Sequence, residues 1–123
     1  MSGFTFSFIG PSPSYLQTDF TRTLSVGTSA TTIYTSADFT NFNSAYLLLV
    51  SGTSGADSSF IDLVITNFEA PSTFTVIASS KGNSPAARTY SITNDATNGN
   101  HLQLAMSSGS YTINVVAFKV SNY

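Results

Sequence analysis

An all-β fold, a single-domain antiparallel sandwich of jelly-roll type, is predicted by three observations. Ser and Thr together supply 38 of 123 residues, and 16 more are aromatic, against only 10 charged side chains. Disordered chains are polar but poor in aromatics, whereas Thr, Tyr, Phe, Val and Ile suit a pleated, half-buried surface. Short segments of period two recur along the chain, cut by clusters of Gly, Pro, Asn and Ser. No helical stripe interrupts them, and 123 residues suffice for one core without staples.

The elements follow from that alternation, eight or nine in number. "FTFSFI" (4–9) opens with Phe4, Phe6 and Phe8 on one face, and the stiff extended "GPSP" follows. Further strands are expected near 21–26, 30–35, 45–51, 59–67, 73–79, 87–93, 100–106 and 110–121. Within 59–67 the alternation puts Ile61, Leu63 and Ile65 on the predicted core face, and Asp62, Val64 and Thr66 on the other. Phe74, Val76 and Ala78, then Leu102, Leu104 and Met106, repeat the pattern. The last strand is apolar on both faces, with Ile113, Val115 and Ala117 against Val116, Phe118 and Val120, which marks it as central. Turns are read in "VGTSA", "SGTSGADSS", "SKGNSPAA", "NDATNGN" and "SSGS". Asn98-Gly99 fits a type I′ hairpin turn and Gly109-Ser110 a tight turn. Residues 36–46 hold one helical turn or none. The domain division is an N-terminal arm or edge strand over 1–18, then a sandwich over 19–123.

Composition also bounds the chemistry. Without cysteine there is neither a disulfide framework nor a thiolate metal site. His101 is the sole histidine, so a zinc site of imidazoles cannot be assembled. "GTSGA" (52–56) lacks the second glycine of a nucleophile elbow. The six acids are Asp19, Asp38, Asp57, Asp62, Glu69 and Asp95, and most flank turns, where Asp bonds local backbone. Asp62 alone stands inside a strand, where it reads as an outward residue or a cross-strand partner of Lys119 or Arg88. "NDATNGN" offers oxygen ligands without the order of a calcium loop, and "SKGNS" has no strand–loop–helix context for phosphate. Neither a catalytic residue nor a cofactor or metal is expected.

Net charge is −2 with four scattered basic residues, which gives no electrostatic footprint for nucleic acid. "AYLLLV" (45–50) is too short to cross a bilayer, and "MSGFTFSF" lacks the basic start of a signal peptide. Synthesis in a cytoplasm is therefore expected. None of the nine Asn begins a glycosylation sequon. Few charges among many aromatics suit a subunit whose faces are covered by neighbours.

A cysteine-free, Ser/Thr-rich, low-charge β-domain with the uncharged opening "SGFTFSFIGPSPSYLQTDF" resembles the small cement, or decoration, proteins of tailed-phage capsids. The likeness is one of composition and architecture along the whole chain, and no motif carries functional residues across. It implies a structural virion protein on the capsid surface, bound across major capsid protein subunits and often trimeric. The expected partner-binding residues are in the arm: Phe4, Phe6, Phe8, Ile9, Pro11, Pro13 and Tyr15. The arm is expected to add a strand either to its own sheet or to a neighbour's. A carbohydrate-binding module or lectin of the same sandwich class is the alternative, with Tyr90, Asn94, Asp95, Asn98 and Asn100 as its candidate sugar site.

Overall fold

In the computed structural model, residues 16–36, 45–55, 58–67, 72–95 and 99–120 are described. They form eight strands: β1 (Leu16–Val26), β2 (Thr31–Ser36), β3 (Ala45–Ser54), β4 (Ser58–Asn67), β5 (Thr73–Gly82), β6 (Arg88–Asp95), β7 (Gly99–Met106) and β8 (Tyr111–Val120). All pair antiparallel, in a five-stranded sheet of order β1-β8-β3-β4-β5 and a three-stranded sheet of order β2-β7-β6. The expected all-β sandwich is therefore present. Pairing of β1 with β8 encloses pairing of β2 with β7, as in a rolled-up chain, while β3, β4 and β5 make a plain meander.

The core lies between the sheets. From the larger sheet come Val26, Tyr46, Leu48, Val50, Phe60, Val64, Ile113 and Val115; the smaller contributes Ile33, Tyr34, Leu102, Leu104 and Met106. Each large aliphatic buried here contributes about 1.5–3 kcal/mol of transfer free energy. Tilted rings bridge the layers, Tyr34 on Tyr46 with centroids 5.0 Å apart and Phe74 on Tyr90 at 6.2 Å. A bulge between Thr32 and Tyr34 turns two successive side chains, Ile33 and Tyr34, inward. Strand β8 is flanked by β1 and β3, which explains why both its faces are apolar.

Two expectations need correction. Ile61 and Ile65 point away from the core, 49% and 43% exposed, while Phe60, Asp62, Val64 and Thr66 point inward. Both alternations of β4 contain apolar residues, so period alone does not choose the face; Phe60 and Val64 fill the space beneath sheet two, and Asp62 is tolerated inside because a cation meets it there. Gly99 is not a turn residue of a two-residue hairpin. It stands opposite Asp95 in the β6–β7 ladder, and its φ of 106° is one that glycine adopts without steric cost. Leu16, Gln17 and Thr18 lie in β1, an edge strand of the larger sheet, opposite Val120, Lys119 and Phe118. The Gly109 turn is as expected, with φ 73° between β7 and β8.

The two sheets differ in width, and that positions everything functional. Only three strands cover five, so the inner face of edge strand β5 is not fully roofed: Val76 points inward, opposite Val64, yet is 39% exposed. A bulge between Leu63 and Val64 on the β4–β5 ladder then places Ser79 opposite Asp62 and Lys81 opposite Phe60.

Candidate functional site

Two features stand out at this open edge and on the broad sheet beside it. The first is a polar cluster built on Asp62. The carboxylate is 1% exposed and accepts four hydrogen bonds: from Arg88 Nε (2.9 Å) and Nη2 (2.7 Å), Ser79 Oγ (2.6 Å) and Tyr90 OH (2.7 Å). Arg88 also lies over the Phe60 ring, 4.3 Å from its centroid. Asp62 sits on β4, Ser79 on β5, and Arg88 with Tyr90 on β6, so the cluster joins the two sheets. Of the two expectations for Asp62, the outward-facing one fails, since the carboxylate is buried. Arg88 is indeed its partner, reaching it from the opposing layer and not from a neighbouring strand.

The electrostatics follow from this geometry. Burial by itself pushes the Asp62 carboxyl up, but the hydrogen bonds from Arg88, Ser79 and Tyr90 outweigh it and hold the group below its ordinary value. The bond to Asp62 raises Arg88 further, against its own desolvation. Tyr90 is pushed far up, first by burial and then by donating to a carboxylate. All three are thereby fixed in their ordinary charge states at neutral pH. A carboxylate with two bidentate bonds and two hydroxyl donors has its lone pairs occupied, so it is poorly placed to take a proton or attack a substrate. What the cluster does chemically is hold β6 against β4 and β5. A cleft of about 320 Å³ opens beside it, lined by Val76, Lys81, Pro85 and Ala87 as well as by the cluster.

The second feature is the outer face of the five-stranded sheet. Rows across it read Ile65–Leu47–Phe118 and Leu63–Leu49–Val116, then Ile61–Ser51–Asn114, then Ser59–Thr53–Thr112. The face grades from apolar to hydroxyl-rich, and none of its described side chains is charged. Its polar end is internally bonded, with Thr23 Oγ1 donating to Asn114 Oδ1 at 2.6 Å and the Ser25 and Ser110 hydroxyls 3.1 Å apart. The outer face of the smaller sheet differs: Thr93 donates to Gln103, Gln103 to Thr32, and Thr35 meets His101 Nδ1 at 2.9 Å.

The expected sites fare unevenly. Phe4, Phe6, Phe8, Ile9, Pro11, Pro13 and Tyr15 lie outside the described residues, as does Asn98. Tyr90 is turned inward to Asp62, away from the role of an exposed sugar-stacking ring, and Asn94 faces Asn100 across the β6–β7 ladder. His101 packs against Thr35 on the polar outer face. The apolar sheet face was missed, although its signal was present: Ile61, Leu63 and Ile65 were recognised as one row and assigned to the wrong side.

No protein-family model and no curated protein matches the sequence. Among solved structures, the tailspike protein of Acinetobacter phage vB_ApiP_P1 is similar, with a TM-score of 0.50 and 15% identity over 99% of this chain. The chain spans about a quarter of that tailspike chain, 24% of its length. At that identity the likeness is one of fold: this β-sandwich is an architecture that a phage tailspike also contains.

Proposed function

We propose that the chain is a structural subunit of a phage virion, and more finely a capsid cement protein that docks across major capsid protein subunits. The observation that carries this reading is the uncharged, half-apolar outer face of the five-stranded sheet. A sheet face meant for water ordinarily carries charges that oppose sticking, and this one carries none among its described residues. Interface cores are depleted in Asp, Glu and Lys in the same way. The saturated Asp62 cluster supports a scaffold role, and the fold shared with a phage tailspike is in keeping with a virion setting.

Immunogold labelling of particles from the source phage tests it. Gold over the head is the expected result. Gold on the tail alone would replace the cement role by a tail role, and unlabelled particles would overturn the virion reading. A glycan array is expected to be blank, since Tyr90 is engaged inside the sandwich.

A further inference from the structure

We infer that the outer face of the five-stranded sheet docks a second copy of this chain through the same face. This rests on the virion-subunit reading above and assigns that face to contact between copies, leaving the other surfaces of the chain to meet the capsid protein. Ile61 and Ile65 are 49% and 43% exposed on this face. Ile65 stands opposite Leu47 and Leu63 opposite Leu49; these three leucines are half-buried, and Phe118 beyond Leu47 is buried. Ile61 and Ile65 flank Leu63 along β4 beside Leu47 and Leu49 on β3, and a contiguous apolar patch of this kind is the mark of a contact surface.

Charge selects the partner. Most protein surfaces carry ions of both signs, and each ion covered without an opposite charge is desolvated at a loss. Among its described side chains the outer face supplies no ion to compensate any of them. A second copy presents the same neutral face, so nothing ionic is desolvated when the two meet. Size agrees. Five strands at about 4.8 Å and some eight residues at about 3.3 Å give a face of roughly 600 Å² before corrugation. Standard interfaces bury roughly 800 Å² per partner. The graded rows add register, because apolar end must lie on apolar end for both patches to be covered. The smaller sheet's outer face, polar and bonded within itself, offers no such gain.

The chain has no cysteine, which makes single-cysteine probes clean. Ile61→Cys is expected to cross-link to a covalent dimer with a short bis-maleimide, whereas Thr89→Cys, exposed on the smaller sheet, is not. The unmodified chain is expected to sediment as an oligomer. Ile61→Lys with Ile65→Lys is expected to weaken self-association at least about tenfold by placing charges in an apolar contact. Should that pair fail to fold, Ile65→Thr gives the same direction more mildly. A strictly monomeric chain, or an oligomer that cross-links through Thr89→Cys and not Ile61→Cys, overturns the proposal. So does a monomer that self-associates only once residues 1–15 are deleted, which would make the chain's own N-terminus the occupant. Head labelling by gold with a monomeric chain defeats this inference alone; an oligomer absent from particles defeats the virion reading alone.

Discussion

Gly52 and Arg88 show how single residues hold this sandwich together. Gly52 lies between Phe60 on β4 and Ile113 on β8. A Cβ built there would come within 2.5 Å of the Phe60 ring and 2.6 Å of Ile113 Cδ1. Both neighbours are fully packed, so Gly52→Ala is expected to destabilise by about 1–3 kcal/mol through overpacking, read as a lower urea midpoint. Arg88→Met removes the cation bonded to the buried Asp62 carboxylate, and a cost of about 3–5 kcal/mol is expected from the uncompensated charge. Acid acts on the same pair. The Asp62 carboxyl titrates lower folded than unfolded, so its stabilisation is complete above the ordinary value of 3.8 and fades as pH falls through the folded value. Thermal melts taken downward from pH 5 are expected to fall more steeply for the natural chain than for Asp62→Asn.

At the scale of elements, β4 decides how far the sequence can be read. Strands β2 to β8 all fall within a few residues of their expected places, because turn chemistry such as the Gly109 turn punctuates them clearly. The face of β4 was not legible. Ile61, Leu63 and Ile65 make a cleaner alternation than Phe60, Asp62, Val64 and Thr66, yet the second set is inside. The deciding facts are tertiary: β6 belongs to the opposing sheet, and Arg88 at its start reaches across to Asp62. Arg88 was named as a possible partner from charge alone, but sequence distance says nothing about which layer it occupies. Two substitutions check the assignment. Val64→Ala is expected to cost about 2 kcal/mol by leaving a cavity, while Ile61→Thr in the isolated subunit is expected to change stability by less than about 0.5 kcal/mol.

For the whole molecule, unequal sheets create both of its unusual surfaces. Three strands over five leave β5 overhanging, which opens the cleft beside Asp62, and the broad sheet turns its second side outward. Residues 83–87 cross from one sheet to the other and are anchored by two hydrogen bonds. Ala86 N donates to Tyr111 OH at 2.8 Å, and Ala87 N to Ser107 Oγ at 3.0 Å. Asn83 and Ser84 both hold positive φ, 55° and 54°, a conformation that Asn accepts more readily than Ser.

The central place of β8 has a consequence in time. It follows the other seven described strands in sequence but fills the gap between β1 and β3, with ladders to both. On a ribosome making a few residues per second, β1 and β3 emerge long before the strand that joins them. Until residues 111–120 appear, both carry unmatched backbone edges, and β3 shows its Leu and Val residues to whatever is near. Closure of the large sheet therefore waits for long-range contact, which makes folding slow for a domain of this length. A nascent chain halted before Tyr111 is a sticky half-sheet, and addition of β8 is the step that closes the larger sheet.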